Sequence, residues 1–160
     1  MSYKLEDTAS NTVKWINENI SKNKYILEVG CGRLKTTKKL AELGYTNLWV
    51  TGTNEEITCV QDEIISLPIY LEFSFEPKQK YDVIMCNYIL NKRGTSESKD
   101  VCDIVYRALK YGGYAVLKIE KPASVRQVEV AELLTFLGDR WEIIHSEECL
   151  NSVEIIAKKL

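Results

Sequence analysis

The chain contains a single histidine, His145. A histidine-dependent catalytic triad or a two-histidine metal site therefore cannot be assembled within one subunit, and no metal centre is expected. Cys31, Cys59, Cys86, Cys102 and Cys149 include no C-x-x-C pair, and their number is odd. That argues against a disulfide framework or a zinc site and for reduced thiols in a cytosol, so a cytoplasmic location is expected. Cys86 ends an apolar run and reads as a small buried hydrophobe. No apolar stretch approaches the ~20 residues that cross a bilayer, and the first residues lack the apolar core of a signal peptide, so no membrane partner is expected. Charge of one sign is not in excess either. With 21 basic and 23 acidic residues the net charge is -2, too small for a global field toward nucleic acid or membrane. Internal repeats and low-complexity segments are also missing.

What remains is an ordinary globular composition, 45% apolar and 28% charged over 160 residues. One domain, 1–160, with one sound core is the expectation. Apolar spacing predicts a helix over Thr8 to Ser21, capped by Thr8 or Ser10, with Val13, Ile16 and Ile20 on one face. Short strands follow at Tyr25–Val29, Asn47–Val50, Ile69–Phe73, Tyr81–Cys86 and Tyr114–Ile119. Helices are predicted between them, from Lys35, from Glu55 and from Glu97, and a further one over about Ser124 to Leu137. The second of these ends before Pro68, with Asn54 placed to cap its start. Trp141–His145 and Val153–Lys158 are closing strands with no helix between them, so the last can enter antiparallel. Alternating strands and helices predict an α/β protein, a three-layer sandwich around a mostly parallel sheet.

The stretch that organises the rest is Tyr25-Ile-Leu-Glu28-Val-Gly30-Cys31-Gly32-Arg33-Leu34-Lys35. It reads as a buried strand, a glycine turn and a helix start, the arrangement that places a nucleotide-type ligand at strand ends in open α/β sheets. Glycines at 30 and 32 permit backbone angles that other residues resist and let a ligand approach the main chain. Glu28-Val-Gly30-Cys-Gly32 resembles motif I of class I S-adenosylmethionine (SAM)-dependent methyltransferases, with Leu34 where the third glycine of the fuller motif would stand. The dinucleotide fingerprint fits less well, because Lys35 occupies the place of its last small residue. Tyr81-Asp-Val-Ile followed by Cys86-Asn87-Tyr88 is similar to the motif IV region of the same family. Leu109-Lys-Tyr-Gly112-Gly113 is similar to its turn into the fifth strand.

The resemblance covers about residues 24 to 158 and implies a Rossmann-like methyltransferase fold with strand order 3-2-1-4-5-7-6 and an antiparallel last strand. It implies SAM as cofactor. Gly30, Cys31 and Gly32 would line the amino-acid end of the ligand, with Glu28 helping to fix it. Asn54 would stand where the family places the acid that accepts the ribose hydroxyls, or would only cap its helix. Glu72, Ser74 or Glu76 would meet the adenine. Asn87 would face the methyl donor at the end of the fourth strand. No catalytic base is implied, since methyl transfer depends on alignment. Arg33 and Lys35, with Lys92, Arg93 and Lys121, could give this rim a cationic mouth for a large or anionic acceptor such as a nucleic acid. Two other readings stand beside methyl transfer. One is a non-catalytic SAM-fold binding or scaffold protein, suggested by Leu34 and Asn54. The other is a nucleotide- or NAD-linked enzyme on a related sheet.

Overall fold

The computed structural model describes residues 3–67, 69–72, 79–87, 95–120, 135, 137–148 and 152–160. In chain order the elements are α1 (Tyr3–Asn19), β1 (Ile26–Val29), α2 (Lys35–Glu42), β2 (Leu48–Val50), α3 (Asn54–Ser66), β3 (Ile69–Leu71), β4 (Tyr81–Asn87), α4 (Thr95–Ala108), β5 (Leu109–Glu120), β6 (Trp141–Glu148) and β7 (Ser152–Lys159). The strands form one sheet in the order β3-β2-β1-β4-β5-β7-β6. The first five strands pair in parallel, whereas β7 runs antiparallel to both β5 and β6. Only residues 149–151 join β6 to β7, far fewer than a parallel crossover needs, so this pair has to be antiparallel. The predicted order and the antiparallel last strand are what the structure has.

Strand β1 lies at the middle of the parallel part and is buried along its whole length, which is why it reads as an unbroken apolar run apart from Glu28. Alternate residues point to opposite faces. Ile26, Val50, Val83, Met85, Val116 and Ile156 pack with Val13 and Ile16 of α1, Leu40 of α2 and Val60 of α3. Leu27, Ile84, Leu117 and Ile155 pack with Val101 and Val105 of α4. Helices on both faces make the three layers. Among the described residues no helix is long and apolar enough to cross a membrane.

Some predicted boundaries move. Helix α1 begins at Tyr3, so Thr8 and Ser10 lie inside it rather than at its cap. Both closing strands are longer than predicted. The helix predicted over Ser124 to Leu137 lies mostly outside the described residues, as does Phe73. Helix α4 gives way to β5 without a loop. There, Tyr81 pairs with Leu109 but Val83 pairs with Tyr114, so residues 110–113 all stand opposite Asp82 and must bulge outward. The glycine pair makes this possible. Gly112 has φ +78°, and a Cβ on Gly113 would come 2.9 Å from the carbonyl oxygens of Asp82 and Lys110.

Candidate functional site

The carboxyl ends of β1 and β2 bring two short connections together. In the first, Gly30, Gly32 and Leu34 have φ of 72°, 50° and 60°. Leu34 thus takes the left-handed conformation that the absent third glycine would supply, at a steric cost of about 1–2 kcal/mol. Its side chain is fully buried, which offsets that cost. Leu34 is also the cap residue of α2 and makes no side-chain cap bond; its N–H donates to the carbonyl of Cys31 at 2.8 Å.

The second connection, Thr51 to Thr53, packs against the first. Gly30 N–H donates to Thr51 Oγ1 at 3.2 Å, and Cys31 N–H donates to the Thr51 carbonyl at 2.7 Å. Gly32 N–H donates to Glu56 Oε2 at 2.8 Å. The other oxygen of Glu56 accepts from Thr53 N–H at 3.4 Å, while Thr53 Oγ1 accepts from Glu56 N–H at 3.2 Å. This is a capping box, so Thr53 caps α3 and the expectation that Asn54 caps it is corrected. Asn54 is instead the first residue of the helix, exposed, with its carbonyl accepting from Thr58 Oγ1. The cause is local: Thr53 has the extended backbone that a cap needs and a glutamate three residues on. A Cβ on Gly52 would meet Cys31 Sγ at 2.9 Å, so the close approach of the two connections requires that glycine.

Glu28 is 3% exposed, and its Oε1 accepts from Thr37 Oγ1 of α2 at 2.7 Å. It lies beneath the turn and ties the strand to its following helix. Burial and the nearby carboxylates of Glu56 and Glu28 push the Cys31 thiol up to about 11. Cys31 is therefore a neutral packing group at physiological pH. Arg33 and Lys35 are exposed on the same turn. Glu72 accepts from Tyr81 Oη at 3.0 Å. Lys92, Arg93, Lys121, Ser74 and Glu76 lie outside the described residues.

Asn87 ends β4, and its register neighbour on β5 is Lys118. Lys118 in turn lies opposite Glu154 of β7. The Lys118 ammonium, 2% exposed, sits 3.2 Å from Glu154 Oε2, and the same oxygen accepts from Thr12 Oγ1 of α1 at 2.7 Å. A buried ion pair of this kind is costly to desolvate and strongly destabilising to halve. Thr51, Gly52, Glu56, Lys118 and Glu154 were not singled out from sequence. Thr53-x-x-Glu56 carries the signature of a capping box and could have revealed Glu56. Lys118 and Glu154 carry no such signal, because each interrupts an apolar strand as an isolated charge.

No family model and no curated protein sequence matches the chain. Solved structures do. Magnesium protoporphyrin IX methyltransferase (ChlM) from Synechocystis PCC 6803 with bound SAM superposes with a TM-score of 0.83 at 16% identity, over 98% of this chain and 80% of that one. The N-methyltransferase NodS from Bradyrhizobium japonicum WM9, in complex with S-adenosyl-L-homocysteine, gives 0.81 at 16% identity over 96% and 87%. TehB from Haemophilus influenzae gives 0.78 at 15% identity over 94% and 62%. Taken with the strand order and the antiparallel β7, these likenesses show that the chain has the class I SAM-dependent methyltransferase fold.

Proposed function

We propose that this protein is a SAM-dependent methyltransferase. The observation that carries this reading is the bonding of the glycine turn. In a phosphate-binding turn the backbone N–H groups point at the ligand's anionic oxygens. Here the N–H groups of Gly30, Cys31 and Gly32 are all taken by Thr51 and Glu56. Two carboxylates, Glu28 and Glu56, also set the field at Cys31. Such a turn is poorly suited to a pyrophosphate and well suited to a ligand carrying an ammonium and a sulfonium. That weighs against the NAD-linked reading on the same sheet.

The residues fit the cofactor. A side chain built on Gly32 would meet nothing within 4 Å, so the outer face of the turn is open to a ligand. Gly30, Cys31 and Gly32 would line its amino-acid end, Asn54 and Glu56 would stand on the ribose side, and Asn87 would face the reacting centre. Leu34 is accommodated in the turn, which weakens one of the two grounds for a non-catalytic reading. When bound, SAM supplies a methyl group activated by its positive sulfur. The protein's task is to hold donor and acceptor in line and exclude water, and no side chain is assigned as base. Arg33 and Lys35, exposed beside the turn, support an anionic acceptor.

Titration calorimetry tests the proposal. SAM should bind and NAD should not. Glu56→Ala, which removes the clamp between the two connections, should weaken SAM roughly tenfold, on the order of a charge-assisted hydrogen bond. Binding of NAD in preference to SAM, or no binding of SAM at all, would overturn it.

A further inference from the structure

The opposite end of the sheet, where β1 and β4 begin and β7 finishes, has a different chemistry that methyl transfer does not use. The bulge at residues 110–113 carries Lys110 and Tyr111 out of the sheet, and Tyr111 is 79% exposed. Its ring is not loose. The Lys159 ammonium lies 4.6 Å from the Tyr111 ring centroid and 4.3 Å from that of Tyr106. Lys159 is itself buried and donates to the carbonyls of Tyr106 and Leu109 at 2.7 and 2.8 Å. An exposed aromatic ring is thus seated on a fixed cation.

Around it stand Lys24, Lys80, Arg107, Lys110 and Arg140, all exposed. The Lys110 ammonium is 5.0 Å from the Tyr25 ring centroid, and the Arg140 guanidinium is 4.5 Å from that of Tyr106. Among the described residues the carboxylates beside them are few. Asp82 pairs with Lys110 at 3.4 Å, Asp103 pairs with Arg140 at 2.7 Å, and Asp139 is exposed. Glu142 and Lys158 lie opposite each other across β6 and β7 and balance. Leaving Arg107 aside, five cations, Lys159 included, stand beside three acids among the described residues of this surface, on a chain whose net charge is -2. Besides burial, repulsion from Lys80 and Arg140 lowers the pKa of Lys159.

From the pre-seated Tyr111 ring inside this cationic ring of residues, we infer that the amino-terminal end of the sheet binds single-stranded nucleic acid. The cations meet the phosphates, and a base stacks on Tyr111. A duplex keeps its base faces covered, so it would use only the charges. An acidic peptide would also leave the tyrosine idle. A lipid surface would find a single apolar side chain on the bulge to insert. This surface is separate from the glycine turn and does not depend on the cofactor reading.

Fluorescence anisotropy with a labelled mixed-sequence RNA of about 15 nucleotides, at about 50 mM salt, tests the inference. The full chain should bind, and affinity should fall as salt rises. Tyr111→Ala should weaken binding roughly tenfold. Lys24→Ala with Lys80→Ala should also weaken it, and should reduce the slope of log affinity against log salt by about 0.7 per charge removed. Melting curves for each variant separate these effects from unfolding. Absence of binding by the unaltered protein would overturn the inference. So would indifference of a folded Tyr111→Ala protein, or equal affinity for a duplex of the same length. Full competition by polyglutamate or by vesicles of anionic lipid would assign the surface to another partner.

Discussion

The two ends of this sheet handle charge in opposite ways. At the carboxyl end, polar groups are spent within the chain: the turn's N–H groups on Thr51 and Glu56, the Glu28 carboxylate on Thr37, and the Lys118 ammonium on Glu154. At the amino end the ion pairs are partly exposed and, among the described residues, cations outnumber acids. The difference shows that local solvation decides what a charge does. Buried and paired, it holds elements in place; exposed, it stays in contact with solvent. A net charge of -2 conceals both situations.

Breaking the carboxyl end should cost most. Lys118→Met leaves Glu154 buried beside Thr12 without its counter-charge, and stability should fall by about 3–5 kcal/mol in urea denaturation. Replacing the pair together, Lys118→Met with Glu154→Leu, should recover most of that loss, since apolar substitutes avoid the desolvation penalty. A double variant no more stable than the single one would show that the pair supplies more than mutual neutralisation.

Next comes the contact between the two connections. Gly52→Ala drives a methyl group toward Cys31 Sγ, only 2.9 Å away, and should cost about 1–3 kcal/mol. The further substitution Cys31→Ala should restore part of it by making room. Failure to do so in a thermal melt would mean that the backbone of the connection, not the sulfur, resists the change.

At the amino end the expected losses are small. Asp103→Ala removes an exposed ion pair with Arg140, whose side chain is 44% exposed, and should change stability by less than about 1 kcal/mol. A loss as large as that of Lys118→Met would erase the contrast between the two ends.

The subtlest difference is in thiol chemistry. With its thiol pushed up to about 11, Cys31 stays protonated at pH 8 and should resist iodoacetamide, whereas exposed Cys59 should alkylate readily. Because the shift is upward, Cys31 should react only as the pH approaches that value, provided the fold still holds. Peptide mapping after timed alkylation reads this directly. Equal rates at pH 8 would mean that the turn opens often enough to expose the sulfur.

Much of the architecture was legible in the residues. Apolar runs such as Tyr81–Cys86 located the strands, and the helix-free link between the last two implied an antiparallel ending. The glycines at 30 and 32 marked the turn, and both do take positive φ. Errors gathered where several residues could serve one local purpose. Asn54 and Thr53 are both good caps, and the choice between them rests on Glu56 reaching back to the Thr53 N–H. Thr8 and Ser10 also looked like caps, yet the helix continues past them to Tyr3.

The sequence by itself determined the order of elements, the sharp turn after β1 and the direction of the last strand, because these depend on neighbours along the chain: periodicity, glycine and loop length. Only the tertiary structure decided which groups meet across the fold. That Glu56 takes Gly32's N–H, that Thr12, Lys118 and Glu154 converge from α1, β5 and β7, and that Lys159 seats Tyr111 are facts of register and packing between segments far apart in sequence. Each side chain had several possible partners in the one-dimensional record. Close packing narrows these choices, because a buried donor or charge left without a partner is costly.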